Sequence, residues 1–283
     1  MPFSENELKR LFKPKNDSNG EDNGQVTVIG GSSLFHGAPL YALTIASRIV
    51  DMVFFGTPEK SVGGVAEKMK SKLLSFIWIP WNEVENYIEK SDSILIGPGF
   101  MRFHSEKTPE GVRHEVCDEV CRQTKEITEN LLKKFPHKKW VIDAGSLQTM
   151  SPEFIPKNAI LTPNKKEFKT LFGLDYSEIS AKEMSKKYKC IIVVKGPVTY
   201  VFHNGEVIEI KGGNPGLTKG GTGDVQAGIT VALLAKNDPV LAACAGAYLT
   251  KSAGDELSKT KGIYFNADDL ANKIPEILNK LAE

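Results

Sequence analysis

Short apolar runs alternate with longer stretches of helical spacing through most of the 283-residue chain. Gln25 to Ile29, Met52 to Phe55, Phe76 to Ile79, Ile94 to Ile96, Trp140 to Ile142, Ala159 to Leu161 and Ile191 to Val194 read as strands. Ala38 to Val50, Val62 to Leu73, Lys165 to Phe172 and Glu178 to Lys187 read as the helices between them. Val112, Val116, Val120, Ile127 and Leu131 recur mostly three to five residues apart in a charged segment, which predicts one buried stripe on a long helix. Such alternation favours a parallel sheet covered on both faces.

The period then changes. Val198 to Phe202, a turn at His203-Asn204-Gly205-Glu206, and Val207 to Ile210 predict a hairpin, so the sheet is expected to be mixed at that end. After Asn214-Pro215-Gly216, the alanine-rich stretches Val225 to Leu234 and Val240 to Leu257 predict two well-packed helices. A last helix is expected over Ala267 to Leu281, capped by Asn266. No repeat or low-complexity linker interrupts the pattern. The expectation is one α/β domain over residues 24–283, preceded by a polar leader, residues 1–23, with an irregular helix around Glu5 to Phe12.

Composition narrows the partners. With 36 basic and 35 acidic residues, a net charge of +1 supplies no global field for nucleic acid or an anionic membrane, so any phosphate must be bound locally. Residues 1–23 are polar and interrupted, so neither a signal peptide nor a membrane span is expected. Cys117, Cys121, Cys190 and Cys244 lack paired CxxC spacing, and a reduced, cytoplasmic chain is the simpler expectation. His104, His114, His137 and His203 have no zinc-ligand spacing, and Cys117 and Cys121 are expected to share a buried helix face.

The strongest chemical signal is Gly220-Gly221-Thr222-Gly223-Asp224, directly before a predicted helix. Glycines admit close approach of a ligand to the backbone, and the free amides of a helix start attract an anion. A carboxylate there repels phosphate unless it takes a proton, so Asp224 reads as a base rather than a binding group. Thr222 or Asp224 equally suits a simple helix cap, and both readings stand at this point. The pattern is neither GxGxxG nor a Walker loop.

Several other segments follow predicted strands. Gly30-Gly31-Ser32-Ser33 and His36-Gly37-Ala38-Pro39 suit a narrow substrate edge or two turns. Gly97-Pro98-Gly99 and Asp143-Ala144-Gly145 point to a shared crevice, with Asp143 also fit to cap a short helix. Lys195-Gly196 sits where parallel sheets place ligand groups, and Lys195 reads alternatively as a solvated lysine. Asn214 offers an amide near phosphates, and Lys219 reads as a surface lysine. Asn164-x-x-Glu167 matches a capping box, while Asn164 also suits a substrate contact.

Taken in order, Gly30-Gly31-Ser32, Gly37-Ala38-Pro39, Gly97-Pro98-Gly99, Asp143-Ala144, Leu161-Thr162-Pro163, Lys195-Gly196 and the run from Gly213 to Asp224 resemble the nucleotide-dependent NAD(P)H-hydrate dehydratase family. The resemblance spans roughly residues 25 to 260. It implies the ribokinase-like fold, a three-layer α/β/α sandwich with a mainly parallel central sheet. It also implies repair chemistry: ADP or ATP, with Mg2+, phosphorylates the hydroxyl of hydrated NADH or NADPH, and phosphate then leaves. By the same resemblance Asp224 is the base. Lys195, Asn214, Gly220, Gly221, Thr222 and Gly223 fall on the nucleotide side, and Gly31, Ser32, Gly37, Ala38, Gly99, Asp143 and Asn164 on the substrate side. A homo-oligomer, with a tetramer as one form, is implied, epimerisation falls to a separate epimerase partner or to spontaneous interconversion, and ADP is the expected donor. The chain departs from the family pattern at Asn164, usually His, at Gly145, usually Asp, and over Arg48 to Met52, where Arg-x-Gly-Ala-Gly is usual.

Overall fold

The computed structural model describes residues 2–107 and 113–282, and for residues 104–107 and 113–115 the backbone alone. Its strands are β1 (Gln25–Ile29), β2 (Met52–Gly56), β3 (Ile77–Trp78), β4 (Ser93–Ile96), β5 (His104–Lys107), β6 (Arg113–Val116), β7 (Lys139–Ile142), β8 (Ile160–Leu161), β9 (Ile191–Val194), β10 (Thr199–His203) and β11 (Glu206–Ile210). The helices are α1 (Gly37–Ala46), α2 (Lys60–Met69), α3 (Val84–Lys90), α4 (Glu119–Lys134), α5 (Ala144–Thr149), α6 (Lys165–Phe172), α7 (Glu178–Lys187), α8 (Thr222–Lys236), α9 (Pro239–Lys261) and α10 (Ala267–Ala282).

Nine strands form one sheet in the order β11-β10-β9-β8-β7-β4-β1-β2-β3. Neighbours from β3 through β9 run parallel, whereas β10 is antiparallel to both β9 and β11. Strand order reverses between β1 and β4, so a crevice opens at their carboxyl ends, where Gly30 and Gly97 begin the loops.

Alternation along each strand divides the core into two layers. Val26, Val28, Leu95, Val141, Ile191 and Val193 join one apolar cluster with residues of α1, α8, α9 and α10. Ile94, Ile96, Trp140, Ile142, Ile192 and Val194 join the other, with residues of α3, α4, α5 and α6. This is the expected three-layer sandwich. The polar first residues pack onto it: Leu8 and Leu11 are buried, and the amide of Phe3 donates to the Glu209 carbonyl on β11.

Two expectations need correction. The predicted long stripe is interrupted, because Val116 lies in β6, paired antiparallel with β5, and α4 starts only at Glu119. Asp118 sets that start by accepting a hydrogen bond from the Cys121 amide at 2.8 Å. Val120 is left 40% exposed, while Cys121, Thr124, Thr128, Leu131 and Leu132 form the buried face. Val112 and the side chains of His104 and His114 lie outside the described residues.

The second correction concerns the cysteines. Cys117 and Cys121 form a disulfide instead of a reduced pair on one helix face. Cys117 precedes the cap and Cys121 occupies the first turn, which brings their Cα atoms to 5.2 Å, within bridging range. Cys190 and Cys244 are free and buried. Among the described residues, no helix is long and apolar enough to cross a membrane.

Candidate active site

The strand ends converge through close backbone approaches. Gly97 ends β4 with φ +117°, and a Cβ there would stand 1.9 Å from the Asp143 carbonyl oxygen. Only glycine lets these loops lie so near each other. The amide of Gly31 donates to the Pro98 carbonyl at 2.9 Å, fastening the loop after β1 to the loop after β4.

Asp143 and Lys195 meet beneath this junction. Asp143 is 2% exposed, and its Oδ1 accepts from Lys195 Nζ at 2.9 Å and from Thr162 Oγ1 at 2.7 Å. Although Asp143 occupies the position before α5, its side chain caps nothing. Glu167 lies nearby in the predicted capping box: it accepts from the Asn164 amide at 2.8 Å, while Asn164 Oδ1 accepts from the amides of Lys166 and Glu167. Gln148 Nε2 also donates to Glu167 Oε1.

The electrostatics follow from three carboxylates around one ammonium. Burial alone would lower the Lys195 pKa, but Asp143, Glu167 and Asp224 outweigh it and hold the ammonium above its ordinary value. Burial raises Glu167, opposed by Lys195. Asp224 is pushed up to about 7, first by burial, then by repulsion from Asp143, with Lys195 pulling the other way. A carboxylate at that value is suited to exchange a proton near neutral pH.

Asp224 stands in the first turn of α8. Gly221, with φ +91°, occupies the cap position of that helix, so neither Thr222 nor Asp224 is its cap residue. Thr222 Oγ1 instead donates to the carbonyls of Leu217 and Lys219. The Thr222 amide donates to the Lys219 carbonyl at 3.3 Å, so an anion at this helix start would be met by the neighbouring glycine amides.

Two cavities open on this helix start. One, of about 510 Å³, is lined by Thr222 and Gly223 together with Lys195, Gly196, Pro197, Thr199, Asn214, Pro215, Leu217, Gln226, Thr250 and Lys251. The other, of about 430 Å³, is lined by Gly220, Gly221 and Asp224 together with Gly37, Ala38, Tyr41, Gly99, Phe100, Arg102, Ala144 and Gly145. Asn164 stands on the first cavity, beside Lys195. Gly31 and Ser32 face a third, narrow cleft of about 30 Å³ against Phe100 and α4. Ser32 Oγ accepts from the Phe35 amide there.

Several expected groups are engaged by the protein itself. Asn214 Oδ1 accepts from the Gly216 amide, and its Nδ2 donates to the Gly254 carbonyl and Asp255 Oδ1, so the side chain shapes the loop it belongs to. Lys219 Nζ donates to the carbonyls of Ile263 and Phe265. Sequence reasoning passed over Lys251, which is 7% exposed and donates to the carbonyls of Gly196, Pro197 and Gly212 at 2.8–3.1 Å. Its signal was a lone lysine on the buried face of an alanine-rich helix. Arg102, at the second cavity with its guanidinium 5.6 Å from the Phe35 ring, and Tyr41, donating to Asp268, were also missed.

A model of one protein family, described as NAD(P)H-hydrate dehydratase, matches residues 26–276 and so runs across both cavities. The chain belongs to the NAD(P)H-hydrate dehydratase family. It is 35% identical to the bifunctional NAD(P)H-hydrate repair enzyme of Methanocaldococcus jannaschii, over 96% of this chain and 51% of that protein. It spans about half the length of the bifunctional archaeal relatives it matches. Similarity to the ADP-dependent (S)-NAD(P)H-hydrate dehydratase of Cenarchaeum symbiosum is 27% identity over 95% of this chain and 94% of that one. Among solved structures, the ADP/ATP-dependent dehydratase of Bacillus subtilis, co-crystallised with ATP and Mg2+, superposes with a TM-score of 0.80 at 22% identity, covering 99% of this chain and 98% of that one. A ribokinase-like protein of Enterococcus faecalis gives 0.79 at 24%, covering 99% and 95%. These likenesses establish the ribokinase-like fold, and the family match gives the chain its family within that fold.

Proposed function

We propose that this chain dehydrates hydrated NADH or NADPH at the expense of ADP or ATP. The observation that carries the reading is the position of Asp224, a carboxylate with a pKa of about 7 on a helix start shared by two cavities. The nucleotide occupies the cavity of Lys195 and Thr222, and the hydrated nicotinamide occupies that of Gly37, Ala38 and Gly99. Asp224 takes the proton of the ring hydroxyl as its oxygen attacks the terminal phosphorus. The amides of Gly221 and Gly223 stabilise charge on the transferring group, and that of Thr222 joins them if it releases the Lys219 carbonyl. Cleavage of the original ring C–O bond then expels that oxygen with its phosphoryl group as inorganic phosphate, and loss of a neighbouring ring proton restores the double bond.

In this reading magnesium enters as part of the nucleotide complex. Among the described residues no group of three metal-binding side chains exists, and Mg2+ commonly keeps water and substrate phosphates as its main ligands. Such an ion would neutralise phosphate charge beside Lys195. The name of the Cenarchaeum symbiosum relative supports ADP as donor. A homo-oligomer completes the reading, with epimerisation supplied by a separate partner or by spontaneous interconversion.

The test follows two products together. Hydrated cofactor with Mg2+ and ADP or ATP should regain reduced-nicotinamide absorbance with matching release of inorganic phosphate, and neither should occur without nucleotide. Phosphorylation of another alcohol with no recovery of reduced cofactor would replace this reading with that of a small-molecule kinase.

A further inference from the structure

Among the described residues, two side-chain polar atoms are buried without a hydrogen-bond partner, Asn23 Oδ1 and Gln226 Nε2. The Asn23 amide is otherwise held, since its Nδ2 donates to Ser18 and Asp51. Gln226 is different. It is 8% exposed, it forms part of the wall of the 510 Å³ cavity, and its Nε2 is buried without a hydrogen-bond partner. Its backbone carbonyl, by contrast, accepts from Thr230 Oγ1.

Neighbouring polar groups are already engaged. Lys251 holds three carbonyls, Thr250 Oγ1 donates to the Gly246 carbonyl, and both ends of the Asn214 amide are bonded. Gln226 therefore lines this cavity with an unused donor, Nε2, buried just behind its wall, where a turn of the amide brings it to a ligand. A buried amide left unpaired is unfavourable compared with an apolar side chain of the same shape. A ligand that supplies the missing partner removes that penalty.

Position selects which part of a ligand that is. Gln226 lies three residues beyond Gly223 on α8, about 4.5 Å farther along the axis than the anion-attracting helix start. Phosphates belong at that start, so the group reaching Gln226 is the nucleoside. Pro197, Pro215 and Leu217 give the cavity apolar walls suited to a planar ring. A glutamine amide presents a donor and an acceptor side by side, the pattern that complements the amino group and ring nitrogen of adenine.

We propose that the Gln226 amide pairs with the adenine edge of the bound nucleotide and makes this chain prefer adenine over guanine donors. The inference rests on the reading that the 510 Å³ cavity takes the nucleotide. The experiment measures binding of MgADP, MgGDP and inorganic pyrophosphate to the full chain by calorimetry, together with the thermal midpoint of the ligand-free protein. Q226L and Q226M keep the bulk of the side chain and remove its hydrogen bonds.

Both variants should bind MgADP about tenfold more weakly, as expected for one lost hydrogen bond, and show a reduced ADP-over-GDP preference. Pyrophosphate binding should be unchanged, and the ligand-free thermal midpoint should be unchanged or higher. Unaltered MgADP affinity in both variants overturns the inference while leaving the nucleotide reading in place. An equal loss for pyrophosphate, or a lowered midpoint in both, overturns it in favour of a structural role. Failure of the unmodified protein to bind MgADP at all removes the nucleotide reading and this inference with it.

Discussion

Lys195 Nζ donates to Asp143 Oδ1 at 2.9 Å, across 52 residues of sequence, and so ties the loop after β9 to the loop after β7. The lysine retains 22% exposure and lines the 510 Å³ cavity, whereas the aspartate is 2% exposed. One ammonium thereby balances the three carboxylates of Asp143, Glu167 and Asp224, and the proton affinity of Asp224 depends on it.

Replacement of Asp224 by asparagine should lower single-turnover phosphoryl transfer by about 100-fold to 10,000-fold, the usual contribution of a general base. Nucleotide affinity should change little, because the anion-binding amides of α8 remain. Rapid-quench transfer and calorimetric binding, measured on the same preparation, separate the two. Transfer near the unmodified rate would reject Asp224 as the base.

The pH dependence has a definite sign. Transfer requires ionised Asp224, so its rate should fall about tenfold per pH unit below about 7 and level off above it. Stability runs the opposite way. The folded value of about 7 lies above the ordinary 3.8, so the native state holds a proton that the unfolded chain releases between them. That contribution is fully present below pH 3.8 and is lost as pH rises through about 7. Asp224→Asn should consequently raise the thermal midpoint relative to the unmodified protein at pH 8 more than at pH 5. An equal effect at both would place the Asp224 pKa outside this window.

Much of this arrangement is legible before any coordinates, because each strand that matters is a short apolar run stopped by Gly, Pro or a polar residue. Gly97-Pro98-Gly99, Asp143-Ala144 and Lys195-Gly196 show as strand ends, and parallel strands bring such ends to one edge. The Asn164 and Glu167 capping box is equally visible, being local. Lys251 is not, since its three carbonyl partners come from two separate loops and nothing in its own helix announces them. The β5 and β6 pair is hidden for another reason: Val112, Val116 and Val120 keep a helical spacing with residues of α4 although Val116 belongs to a strand. The disulfide depends on the cap at Asp118, which the periodicity did not locate.

Substituting Lys195 by methionine should destabilise the fold and slow catalysis by separable routes. Removing one partner of a buried ion pair typically costs about 3–5 kcal/mol, and the residual exposure of Lys195 places this case toward the lower end. Without the ammonium, repulsion among the remaining carboxylates should push the Asp224 pKa above 7 and shift the pH–rate profile upward. Urea unfolding reads the first effect and the profile reads the second. An unmoved profile would show that Lys195 does not set the proton affinity of Asp224.

Gly145 departs from the family pattern, and its surroundings explain why an aspartate does not fit here. A Cβ at this position would lie 2.4 Å from the Phe100 carbonyl oxygen and 2.8 Å from the Phe100 Cβ. Both Phe100 and Gly145 line the cavity that holds Asp224, so the backbone after β4 has closed onto α5 where a larger residue would hold it away. Gly145→Asp should therefore displace the turn around Phe100, at about 1–3 kcal/mol for forced overpacking. It would also add a fourth carboxylate near Asp143, Glu167 and Asp224. The expected result is a lower urea midpoint and a weakened KM for hydrated cofactor, with nucleotide affinity retained because the other cavity is untouched. Gly145→Ala separates the causes, since it carries the steric effect without the charge. If alanine is tolerated with an unchanged midpoint, the contact with Phe100 is not what excludes a side chain at this position.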